Sequence, residues 1–163
     1  MPQTLLIIED EVLLGQELQR HFRREGWDVR LATALDEARG LLLTRDFEPL
    51  VVLSDMNLPD GNALDLLEEV RAAHLPGEWV MLTGYGGVPE SVRAVKLGAY
   101  DFLEKPVQPA RLDMVLSGAL RSARAQSRLA DQTAEETRRF SPERFLGDSA
   151  PAREVRDMLG RLA

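Results

Sequence analysis

Four short segments of this chain run apolar and then end abruptly on polar residues. They are Leu5-Leu6-Ile7-Ile8-Glu9-Asp10, Leu50-Val51-Val52-Leu53-Ser54-Asp55, Val80-Met81-Leu82-Thr83 and Tyr100-Asp101-Phe102-Leu103-Glu104-Lys105-Pro106. Runs of this length, three of them holding Val or Ile, read as strands buried on both faces of a parallel sheet. Between them the apolar period changes to that of a helix. Residues 4–8 predict a strand and 11–25 a helix, with Val12, Leu14, Leu18, His21 and Phe22 on its inner stripe and Gly26 ending it. A second strand follows at 27–31. Thr33 is placed to cap a helix whose Leu35, Ala38, Leu42 and Leu43 are spaced for burial. The strand at 50–53 leads through Asp55 to a turn, Leu58-Pro59-Asp60-Gly61, and to a third helix marked by Leu64, Leu66, Leu67 and Val70. Residues 78–83 form the fourth strand, Gly84, Gly86 and Gly87 a permissive loop, and a shorter helix ends near Leu97-Gly98. After a fifth strand at 100–103, a helix starts around Pro109 and meets no clear break until about Thr137. Repeated strand-helix units imply right-handed crossovers and a doubly wound α/β sheet.

In such a sheet the strand C-termini meet on one edge, and the binding crevice lies outside that edge. Here the edge collects the carboxylates Glu9, Asp10 and Asp55, the Thr83 hydroxyl and the Lys105 ammonium. Three crowded carboxylates stay ionised together only if cations share the site. A divalent metal together with Lys105 would supply that charge. Hard oxygen donors, with no Cys and no paired His nearby, suit Mg²⁺, which keeps waters and leaves room for a phosphoryl oxygen. Thr83 and Lys105 would then contact the oxygens of a phosphoryl group carried on one of the carboxylates.

Taken together, Glu9-Asp10, Asp55 in SDMNLPDG, Thr83 in MLTGYGG and Lys105 in GAYDFLEKP resemble the five-position signature of bacterial response-regulator receiver domains, from residue 4 to about 120. The resemblance implies the flavodoxin-like strand order 2-1-3-4-5 and a chemistry. Asp55 is the expected nucleophile, taking a phosphoryl group from a sensor histidine kinase, with Thr83 and Lys105 as its catalytic partners. Asp10 is the expected direct ligand of Mg²⁺ and Glu9 a ligand through water; Asp55 and the backbone carbonyl of Asn57 complete the metal site. Glu9 stands where many family members have Asp. Phe102 takes the aromatic switch position beside Thr83 as the second switch residue, without the hydroxyl of the Tyr frequent there. The Lys105-Pro106 peptide is one that is often cis in the family. The switch is expected to alter a homodimer.

Composition narrows the alternatives. With 163 residues and 44% hydrophobic content, one ordinary domain and something smaller fit. No apolar run approaches the roughly 18 residues of a membrane span, and no signal peptide is legible, so a cytoplasmic protein without membrane contact is expected. The absence of Cys removes thiolate and zinc-finger chemistry. Residues 1–117 carry a net charge of −9 and residues 118–163 a net charge of +2. The acidic portion would be repelled by phosphate backbones, so this chain should not bind nucleic acid directly. Of 20 basic residues 18 are Arg, which makes Lys105 at a strand end a deliberate point charge.

Three segments are expected: a receiver domain at 1–120, a helical linker at 121–139 and, at 140–163, the start of a truncated AAA+ domain. Leu112, Leu116, Ala119, Ala123, Gln126, Ala130 and Thr133 follow a 4,3 spacing, a poor coiled-coil seam or a solvated helix. The last segment, FLGDSAPAREVRDMLGRLA, resembles the opening of the AAA+ domain in sigma-54-dependent activators of the NtrC type. No G-x-x-x-x-G-K-[ST] loop occurs, so the ATPase core and the DNA-binding domain would be attached in a longer protein, and this chain is not itself expected to be an enzyme. Two other classes are weighed. A receiver-shaped dimerisation adaptor that works without phosphorylation is one. The other is a metal-dependent aspartyl phosphatase, against which Asn57 stands where the haloacid-dehalogenase type needs a second Asp. His21 and His74 are expected to be ordinary surface or half-buried residues.

Overall fold

The computed structural model describes residues 2–84 and 88–139. The Gly86-Gly87 loop and the AAA+-like segment 140–163 lie outside the described residues. The chain divides into two compact units, residues 1–123 and 124–163, and the first holds all the chemistry discussed below.

Its elements, in chain order, are β1 (Thr4–Ile8), α1 (Val12–Arg24), β2 (Asp28–Ala32), α2 (Leu35–Leu43), β3 (Val51–Asp55), β4 (Asn57–Leu58), β5 (Gly61–Asn62), α3 (Ala63–Ala72), β6 (Glu78–Thr83), α4 (Val88–Lys96), β7 (Asp101–Glu104) and α5 (Pro109–Arg139). Five of the strands form one parallel sheet in the order β2-β1-β3-β6-β7, which is the expected 2-1-3-4-5 order with a small hairpin set aside. The period of two along each strand sorts its side chains between two cores. Leu6, Ile8, Val52, Trp79 and Met81 face α2, α3 and α4. Leu5, Ile7, Val51, Leu53, Val80, Leu82 and Leu103 face α1 and α5. All of these are 8% exposed or less, so the apolar runs are those of strands covered on both sides.

Helix ends follow local rules. Gly26, at φ +92°, closes α1: its N–H donates to Arg23 O, while Trp27 N donates to Phe22 O and the Trp27 ring packs edge-on against Phe22. That is the double hydrogen bond and apolar contact of a Schellman motif. Gly98 ends α4 in the same way, and His74, at φ +56°, ends α3 without glycine's freedom. The Lys105-Pro106 peptide is cis.

Several expectations require correction. Thr33 does not cap α2; Ala34 holds the cap position with no side-chain bond, and the carboxylate of Asp60 accepts from Leu35 N and Asp36 N instead, each at 2.9 Å. Thr33 is engaged by Glu37, four residues along. Val12 and Leu43, expected on buried stripes, are 56% and 40% exposed. β2, β3 and β7 each begin one residue later than expected. The expected turn Leu58-Pro59-Asp60-Gly61 is present, and the strands on either side of it, not foreseen, make a small hairpin in which β4 pairs antiparallel with β5 through Asn57↔Asn62 and Leu58↔Gly61. On α5, Leu112, Leu116, Ala119 and Ala123 are buried in the first unit, so the first half of the 4,3 stripe is core rather than the start of a coiled-coil seam. Gln126 and Ala130 are exposed.

Candidate functional site

The register of the sheet places the acid-bearing strand ends side by side. Ile8 pairs with Ser54, and Asp55 with Leu82, so Glu9 and Asp10 emerge beside Asp55. Thr83 pairs with Glu104, and the Lys105 N–H donates to Thr83 O at 2.7 Å, which carries the Lys105 side chain across to the same edge. Ligand oxygens of Glu9, Asp10 and Asp55 lie within 4.8 Å of one another. Lys105 Nζ stands 2.8 Å from Glu9 Oε1 and 3.1 Å from Asp55 Oδ2.

Burial grades these groups. The Glu9 side chain is 3% exposed, Asp55 14% and Lys105 23%. Thr83 is fully buried. Asp55 Oδ1 accepts from the N–H of Met56 at 2.9 Å, which fixes the carboxylate plane, and the Ser54 hydroxyl donates to Asp55 O. Asp55 therefore sits at the rim with one oxygen held by backbone and the other facing an ammonium. Glu9 lies deeper.

One ammonium cannot balance three carboxylates. Burial pushes the Glu9 carboxyl up from 4.5 to about 7, and Asp55 adds to the rise against the pull of Lys105. Burial alone would lower the Lys105 ammonium, but its bonds to Glu9 and Asp55 and their charges outweigh it, so the group is held above its ordinary value. Among the described residues Glu9 Oε2 is buried with no hydrogen-bond partner. An oxygen in that position is costly unless something donates to it or coordinates it. The donor set fits a hard divalent cation: three carboxylates, no sulfur and no imidazole.

Asn57 lies two residues beyond Asp55, on β4, with its side chain exposed. Phe102 is half-buried against the core shared with α2, α3 and α4. Sequence reading expects the Leu58-Pro59-Asp60-Gly61 turn to position rather than react, but it missed the part played by Ser54 and the partner that Asp60 finds on α2. Ser54, fully buried, braces the Asp55 carbonyl. Asp60 ties the hairpin after Asp55 to α2; a Pro-Asp-Gly turn is a visible signal, but its partner 25 residues away is not. His21 Nε2 is 2.7 Å from Asp113 Oδ1 and half-buried between α1 and α5, while His74 serves the end of α3.

Comparison with known proteins bears on the family and the fold. Residues 5–117 match the family described as "Response regulator receiver domain". The "Response regulator protein PilR" of Pseudomonas aeruginosa is 37% identical over 161 residues, covering 99% of this chain and 34% of PilR. This chain thus spans only about a third of that relative. Among solved structures, NtrX from Brucella abortus in complex with ATP superposes with a TM-score of 0.70 at 31% identity, over 81% of this chain and 30% of NtrX. The beryllofluoride-activated NtrC4 receiver domain dimer superposes with a TM-score of 0.68 at 26% identity, over 74% of this chain and 98% of that one.

Proposed function

Since the chain belongs to the response regulator receiver domain family, we propose that it is the phosphoacceptor module of a two-component system, with Asp55 as the acceptor. The observation that carries this is the convergence of Glu9, Asp10, Asp55 and Lys105 at the C-terminal edge of the sheet, with one buried Glu9 oxygen unpaired.

In the transfer, an oxygen of the Asp55 carboxylate attacks the phosphorus of a phosphohistidine on the sensor kinase. The new O–P bond forms as the P–N bond breaks, and the departing imidazole keeps the electron pair and is then protonated. Lys105 stands where it can meet the charge on the phosphoryl oxygens, and the Thr83 hydroxyl is the second contact at the adjoining strand end. Asp10 and Asp55, with Glu9 through water and the Asn57 carbonyl, would hold Mg²⁺, which when bound neutralises negative charge on the transferring group. The same groups make a serine-type or thiol mechanism unnecessary, and the chain catalyses only its own modification.

Switching then follows from charge. The acyl phosphate carries about −2 at the rim where the Asp55 carboxylate carried −1, which draws Thr83 and Lys105 inward and gives Phe102 reason to repack. Thr83 and Lys105 flank α4 and β7 in the chain, so the segment 88–120 is the two-state element that would change a homodimer interface. In its resting position α4 is tied to α3: Arg93 donates to Asp65 at 2.6 Å and Glu68 at 3.0 Å. The segment at 140–163 supports attachment to an NtrC-type ATPase and a DNA-binding domain in a longer, cytoplasmic regulator. Among the described residues no helix is long and apolar enough to cross a membrane.

The test is hydrogen exchange and size-exclusion chromatography with Mg²⁺ and beryllofluoride, a mimic of the phosphoryl group. Altered protection across residues 88–120 with a change in dimerisation is expected. Changes confined to the Asp55 pocket would refute the switching route.

A further inference from the structure

We infer that Asp60 is a positioning residue for the phosphoacceptor site: its carboxylate fastens the hairpin that carries Asn57 to the first turn of α2. The inference rests on the phosphoacceptor reading above and adds to it a residue that touches neither metal nor phosphoryl group.

The hairpin has little stability of its own. β4 and β5 are two residues each, joined by Pro59 and Asp60, far below the size at which an isolated hairpin holds together. At its base it is fixed by β6 and α3: Met56 N donates to Leu82 O, Ala63 N to Met56 O, and Asn62 Oδ1 accepts from Leu64 N. Its tip is tied to α2. Asp60 Oδ1 takes the Leu35 N–H and Asp60 Oδ2 the Asp36 N–H, both at 2.9 Å. Gly61, at φ +146°, lets the backbone lie close enough that an added Cβ would stand 3.3 Å from Leu35 Cδ1. Leu58, 8% exposed, enters the core that also holds Leu35. The two backbone bonds hold the Asp60 carboxyl below its ordinary value although it lies at the surface, as expected for an anion on two helix N-terminal donors.

A helix cap is most simply supplied by the residue at the cap itself. In α2 that position is Ala34, which has no side chain to offer. The cap comes instead from 25 residues away, from the turn beyond the nucleophile. The exchange gives α2 its missing acceptor and gives the hairpin a rigid anchor three residues from Asn57. Support of this kind, from outside the ligand shell, governs how well a carbonyl is aimed at a metal.

The experiment separates the cap from the anchor. Asp60→Ala removes both; Asp60→Ala with Ala34→Ser returns a local cap to α2 without the tie to the hairpin. Three quantities are read on the whole chain: Mg²⁺ affinity by titration calorimetry, the urea midpoint, and amide exchange over residues 57–62. Asp60→Ala is expected to lower Mg²⁺ affinity about 10-fold, to speed exchange across the hairpin and to lower the urea midpoint. Ala34→Ser in that background is expected to raise the midpoint again and leave Mg²⁺ affinity low. Asp60→Asn, which keeps one acceptor oxygen, should fall between wild type and Asp60→Ala. Unchanged Mg²⁺ affinity in Asp60→Ala, or affinity restored by Ala34→Ser, would overturn the inference and leave Asp60 as a helix cap. Wild-type protein that binds no Mg²⁺ would instead overturn the phosphoacceptor reading, and this inference with it.

Discussion

Glu9 makes the site's metal affinity depend on pH above the range where carboxylates ordinarily titrate. Its carboxyl is raised to about 7 in the metal-free protein, and a bound cation favours the ionised form. At pH 8 about nine in ten Glu9 side chains are then charged, and at pH 6 about one in ten, so full coupling weakens Mg²⁺ binding about 10-fold between the two, or ~1.4 kcal/mol. Stability of the metal-free protein runs the other way. A carboxyl whose folded value lies above its unfolded value binds more protons when folded, so its contribution is present below about 4.5 and is lost as pH rises through about 7. The rise from 4.5 to about 7, which already includes the pull of Lys105, caps that loss at ~3 kcal/mol. The assay is Mg²⁺ titration by calorimetry at several pH values, with urea unfolding of the metal-free protein alongside, on wild type and Glu9→Gln. The Gln variant should show a flat profile in both. Wild-type Mg²⁺ affinity that is the same at pH 6 and pH 8 would refute the reasoning, because it would mean that Glu9 is ionised throughout.

Asp10→Asn should weaken Mg²⁺ binding while leaving the urea midpoint within about 1 kcal/mol, since a neutral amide is a poor ligand for a hard cation and the site lies at the edge of the sheet; calorimetry and urea titration check both parts. Leu67→Ala removes a fully buried side chain of α3 and should cost about 2–5 kcal/mol through the cavity it leaves, read as a lowered urea midpoint. His74→Gly should stabilise by about 1 kcal/mol or less, because His74 holds φ +56° at the end of α3, a conformation free to glycine and strained for other residues, and thermal unfolding would show the rise.

The sheet was legible because strands covered on both faces leave an unbroken apolar signal, as in Leu5 to Ile8 and Val51 to Leu53, and because each ends at a change to polar residues. Gly26 and Gly98 were equally readable, since each φ requirement is local. What escaped was what depends on distant partners. Thr33 has the chemistry of a cap, but Asp60 arrives from the far turn and takes the Leu35 and Asp36 donors. The 4,3 series on α5 says only that one face is apolar; whether a sheet or another helix covers it is decided by tertiary contacts. At the site, strand ends place Glu9, Asp10, Asp55 and Lys105 together, as periodicity and sheet order require. The depth of Glu9, with one oxygen unpaired, follows only from how the neighbouring strands and loops close over it.

The most direct measurement is of the acceptor itself. The chain is incubated with acetyl phosphate and Mg²⁺, its intact mass is recorded, and the modified residue is located by borohydride reduction and peptide sequencing. The account predicts one phosphoryl group per chain, carried on Asp55, dependent on Mg²⁺ and absent from Asp55→Asn. A modification of equal extent in Asp55→Asn, or one located on any other residue, would contradict it.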